Sequence, residues 1–85
     1  MGTRITAEGV EACLAYGTAA IAVMEAKESI AQSRILDGPA FAAGEELVRV
    51  HDDLRRLFDA GDCSAVPGLA LSVIVLAERV AMLLE

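Results

Sequence analysis

The chain has 85 residues, a hydrophobic fraction of 55% with only 4% aromatic residues, and a formal net charge of −6. That length makes one domain, near the lower end of what folds without help. The acidity argues against nucleic acid or an anionic membrane as partner, since both need a concentrated basic face, and here six arginines and one lysine are scattered among thirteen acids.

Because the apolar excess is aliphatic and rich in alanine, which loses no side-chain entropy in a helix, the predicted class is all-α. No alternation of strand period and no repeat interrupts it. The first predicted helix covers residues 6–36. It starts at Thr6 as N-cap with Glu8 in the first turn, and Asp37-Gly38-Pro39 stops it. Ile5, Val10, Cys13, Leu14, Tyr16, Ile21, Val23 and Met24 cover more than half of its circumference, and Glu8, Glu11, Thr18, Glu25, Ser29 and Ser33 line the rest. Gly17 and the alanines offer places for close backbone approach.

The second predicted helix covers residues 39–60, with Pro39 in its first turn and Gly61 as its stop. Ala43, Leu47, Val50, Leu54, Leu57 and Phe58 recur at steps of three and four. Glu45, Glu46, Arg49, Asp52, Asp53, Arg56 and Asp59 take the opposite face, where Glu45 with Arg49 and Asp52 with Arg56 form i,i+4 pairs. That face is built for water.

The third predicted helix covers residues 65–84 after an N-cap at Asp62 or Ser64, with Pro67 harmless in its first turn. Residues 65–77 carry no charge, and Glu78 and Arg79 are the only charges before Glu85. Leu69, Val73, Leu76, Val80 and Leu83 make one apolar side; Leu71, Ile74, Val75 and Met82 make another. A helix apolar nearly all round needs neighbours on several sides. Its length approaches the 20 or so residues of a membrane span, but Pro67-Gly68 at the start and Glu78-Arg79 inside favour a buried helix of a soluble protein. With no signal-peptide pattern at the N-terminus, the expected location is the cytoplasm.

Short connections make consecutive helices antiparallel neighbours, so the predicted architecture is a three-helix up-down-up bundle. So small a core rarely suffices alone. The surplus apolar surface predicts a homodimer through the first and third helices, using Val10, Leu14, Gly17, Ile21, Met24, Leu71, Ile74, Val75 and Met82.

Sites of chemistry are few. His51 borders the apolar stripe beside Leu47, Leu54 and Phe58, where a carbonyl or carboxylate would bond it. Counting from the turn at Gly38 places Glu25 level with it, a contact that would raise the histidine's pKa. Glu28 interrupts the apolar face of Val10, Gly17, Ile21 and Ile35, level with Arg49 as a salt-bridge partner; it is either solvated or a buried polar contact that fixes register between chains. Glu25 and Glu28 have the ExxE spacing that can hold Mg²⁺, and with His51 and Asp52 they are the weak metal candidates. No facing second acidic motif, phosphate-cradling glycine loop or GxSxG accompanies them. Cys13 and Cys63 lack metal spacing and read as reduced thiols. No catalytic residue and no cofactor is therefore assigned. The sequence leads to a non-enzymatic interaction module, such as an accessory subunit, adaptor, chaperone-like factor or inhibitor. It would act as a homo-oligomer on an unidentified protein partner. The other reading is a bundle that binds a small ligand or divalent metal, conceivably hydrolytic, through the acids of helices 1 and 2. The preference for arginine and alanine fits a GC-rich bacterium or its phage.

Overall fold

The computed structural model describes residues 7–34 and 36–84, which form three helices: α1 (Ala7–Ser33), α2 (Gly38–Asp59) and α3 (Val66–Leu84). The expected cap at Thr6 and the side chains of Ile5 and Ile35 lie outside the described residues. All three helix pairs pack together, no strand occurs among the described residues, and the molecule measures 51 × 17 × 16 Å. The protein is all-α.

Helix ends follow local chemistry. Residues 34 and 36 are outside α1, which ends at Ser33, short of the predicted 36. Arg34 sits in the left-handed region (φ 54°), and its N–H donates to the Ala31 carbonyl at 3.2 Å. A left-handed residue just past the last helical one ends a helix whatever its side chain. Asp37 is the N-cap of α2, without a side-chain cap bond, and Pro39 falls in the first turn where no N–H is needed. At the far end, Gly61 takes φ 80°. Its N–H donates to the Phe58 carbonyl at 3.1 Å, and the Asp62 N–H reaches the Leu57 carbonyl at 3.0 Å. That pair of bonds is the Schellman closure, and it explains the glycine. α3 starts at Val66, so Ala65 rather than Asp62 or Ser64 takes the cap position, and the Ser64 hydroxyl donates to Asp62 Oδ1 at 3.0 Å. The Ala65 carbonyl accepts the first bond of the following turn, from Leu69 N–H at 3.3 Å.

The core runs in steps of seven. Ala12, Ala19 and Ala26 come from α1, Leu47 and Leu54 from α2, and Val66, Val73 and Val80 from α3, with Val23, Ala70 and Ala77 between. The buried side of α3 is thus centred on Val66, Ala70, Val73, Ala77 and Val80. Of the predicted inner set, Leu69 and Leu76 are only half-buried and Leu83 is exposed. The inward faces of α1 and α3 alternate small residues, so the helices approach closely and larger side chains are turned aside. On α2 the pattern is the predicted one, with one pairing changed: Arg49 leans on Glu46 at 4.0 Å rather than on Glu45. Asp52 holds both Arg56 at 3.0 Å and Arg55 at 3.1 Å.

Leu54 is fully buried in the C-terminal third of α2. Leu54→Ala should lower unfolding free energy by about 2–5 kcal/mol in a urea titration; a loss below about 1 kcal/mol would place that side chain outside the core.

Candidate functional surface

The described residues bring no catalytic constellation together; they present exposed apolar surface and one buried side-chain polar atom without a hydrogen bond, His51 Nε2. α1 carries two opposite faces with the same seven-residue spacing. The inner one is Ala12, Ala19 and Ala26, buried in the core. The outer one is Val10, Leu14, Gly17, Ile21 and Met24, a ridge of a and d positions of the kind that seats a partner helix. Leu14 is 67% exposed, Ile21 59% and Met24 69%. Gly17 sits mid-ridge, exposed, with open space where a Cβ would be. On α3 the outward residues are Leu71, Val75 and Met82, the last 73% exposed, while Ile74 is half-buried toward α1. Monomeric proteins seldom leave apolar residues aligned in this way. α2 turns charge outward instead, and Val48 is its one exposed large hydrophobic residue.

α1 and α3 are also long and apolar enough to cross a membrane by length and composition, and only 17% and 28% of their apolar windows are buried inside the chain. Charges within them oppose that use: Glu11 and Glu25 lie inside α1, Glu78 and Arg79 inside α3. A charged side chain at the centre of a bilayer costs roughly 2.5–3.5 kcal/mol.

The metal candidates do not converge. Glu25 lines the groove between α1 and α3 beside Ala26 and Glu78. Glu28 is exposed and accepts a bond from Gln32 Nε2 at 3.2 Å, so it is solvated rather than paired with Arg49. Asp52 is engaged by its two arginines. Among the described residues no group of three or more histidine, cysteine, aspartate or glutamate side chains could hold a metal ion. Cys13 and Cys63 are free thiols, the first exposed.

His51 differs from its sequence-based expectation. It stands edge-on to the Tyr16 ring at 6.2 Å, and Tyr16 packs in turn on Phe58 at 4.3 Å. Its Nε2 is sealed from solvent with no hydrogen-bond partner among the described residues. Burial lowers its pKa first, then the charges of Lys27 and Arg55, against a smaller upward pull from Asp52. The predicted upward shift from Glu25 is therefore replaced by a downward one. Burial is the larger cause, and azimuth removes Glu25 from the balance: Glu25 lines the α3 side of α1, whereas Lys27 lines the α2 side in the same cleft as Phe41 and Val48.

Compared with family models, with curated proteins and with solved structures, the chain matches none of them.

The histidine has a consequence for stability. Its folded pKa lies below the ordinary 6.5, so between the two values the unfolded chain binds more protons. Its contribution is complete above about pH 6.5 and is lost as pH falls through the folded value. Urea titrations from pH 8 to pH 5 should show wild-type stability falling below pH 6.5, with a shallower fall in His51→Gln. Parallel curves would remove His51 as the cause.

Proposed function

We propose that this chain is a small acidic interaction module of the cytoplasm that works as a homodimer and engages another protein, with no catalytic role. Three helices arranged up, down and up would be shared between two copies through the outer ridge of α1 and the outward residues of α3. The opposed order of contacts between α1 and α2 supports the up-down step: Tyr16 meets Phe58, whereas Ile30 meets Gly44 nearer the turn. The observation that carries the dimer is the ridge of Val10, Leu14, Gly17, Ile21 and Met24, directly opposite the buried alanines of the same helix. A helix whose two opposite faces both follow the a/d spacing has places for two sets of neighbours, and this chain fills one.

Size supports the same reading. A second copy seated along a face of 51 × 17 Å would cover an area of the order of the roughly 800 Å² per partner that a stable interface buries. Gly17 would let the two α1 backbones close on each other at mid-ridge. On α3 the half-buried Ile74 borders the α1 side, whereas the exposed Leu71 and Val75 open on the α2 side beside Glu46 and Val50, so a neighbour on α3 would cover a second apolar edge together with Met82. The unoccupied apolar windows could also suit a lipid bilayer, but their internal carboxylates favour a protein surface.

Sedimentation velocity at micromolar concentration should give a dimer. Leu14→Ser with Ile21→Ser should weaken it at least tenfold, and Leu71→Ser with Val75→Ser more modestly, each leaving the helical circular dichroism intact. A monomeric wild type, or a dimer indifferent to both pairs, would overturn this assignment.

A further inference from the structure

We infer that the groove between α1 and α3 is the seat of a basic amphipathic helix from a partner protein. The inference rests on the reading of these two helices as an interaction surface, and it names a second occupant on the flank of α1 beside the ridge, with Val10, Leu14 and Ile74 bordering both surfaces. Two open stretches of this groove meet at Ile74. The first has Val10 and Leu14 on its bank with Glu11 at the edge. The second has Ala22, Ala77 and Ala81 along it with Glu25 and Glu78 on either side. Together they follow α1 from Ala7 to Ser29, roughly 33 Å at the helical rise, the length of a helix of about 20 residues.

Charge selects the occupant. No lysine or arginine lines either stretch. Glu11, Glu25 and Glu78 are exposed, and every ion pair among the described residues lies on α2. α2 sets three arginines among its five carboxylates, with Glu45, Asp53 and Asp59 outside any of its ion pairs, whereas the groove is lined by carboxylates and no cation. A second copy laid face to face here would bring the same three carboxylates against themselves, and an anionic lipid surface would be repelled likewise. A helix with an apolar stripe for Ile74 and the alanines, flanked by lysine or arginine, satisfies both the floor and the rim. Helix-in-groove recognition combines these two contributions, apolar anchors for affinity and rim charge for orientation and on-rate.

The test uses the full chain and two synthetic 20-residue amphipathic helices with one leucine-alanine stripe, flanked by lysine in one and by glutamate in the other. Fluorescence anisotropy should show the lysine peptide binding at least tenfold tighter. The triple variant E11Q/E25Q/E78Q should weaken that binding at least tenfold. E45Q/D53N/D59N, which removes as many charges from α2, should leave it within twofold, and Ile74→Ser should weaken it while the fold is kept. Equal losses from both triple variants would reduce the effect to general charge attraction and overturn the proposal. So would equal binding of the two peptides, or co-sedimentation with neutral phosphatidylcholine vesicles. Sedimentation of the same samples separates this outcome from the dimer: an intact dimer that ignores the lysine peptide removes only the groove, and a monomer that binds it removes only the dimer.

Discussion

The contact on which the rest depends is the alanine face of α1 against the valines of α3 and the leucines of α2. Ala12, Ala19 and Ala26 are buried with Val66, Val73 and Val80 and with Leu47 and Leu54 in one core. Alanine has no side chain to reorganise, so three helices can close around it at short range. That closeness has a geometric cost. With the inner positions of α1 given to small residues, Leu14, Ile21 and Met24 are carried to the far side of the same helix. The internal core is thus made of modest side chains, and the largest aliphatic groups of α1 lie outside it.

Exposure of that kind is confined almost wholly to two helices. α2 presents arginines and carboxylates to water, tied together around Asp52, and buries Leu47 and Leu54. The surface therefore divides by helix into one charged flank and two apolar ridges. Between the ridges runs a groove whose floor is apolar and whose edges are acidic. On the side of α1 facing α2, His51 supplies a local weakness. Its ring packs at right angles to Tyr16 of α1, and its buried, unbonded Nε2 favours the neutral form.

The sequence made α2 easy to read because its apolar and charged residues differ at every step of the helical period. Its core leucines and its water-facing side followed directly. α1 resisted the same method. A helix apolar nearly all round gives periodicity no contrast, so hydrophobicity alone cannot say which apolar face turns inward. Residue size is what distinguishes the buried face, with alanine at every seventh position from Ala12 to Ala26, but in the sequence those alanines marked only places of close approach and no inward face. Of the residues expected at an interface, Val10, Leu14, Gly17, Ile21 and Met24 on α1 and Leu71, Val75 and Met82 on α3 are exposed, whereas Ile74 is half-buried toward α1. Counting from the turn at Gly38 fixed how far along the axis Glu25 lies, but not the direction in which it points. Glu25 faces α3, and Lys27 acts on His51 instead. Arg34 in a left-handed conformation had no residue-type signal, since glycine or asparagine is the usual occupant there.

The account stands or falls on whether two copies share the surface that one copy leaves open. Thermal unfolding followed by circular dichroism from about 1 to 100 μM protein tests it most directly, because association that precedes unfolding makes the midpoint depend on concentration by mass action. The account predicts a Tm that climbs steadily across that range, with Leu14→Ser/Ile21→Ser flattening the dependence. A Tm that stays constant over the hundredfold span would contradict it.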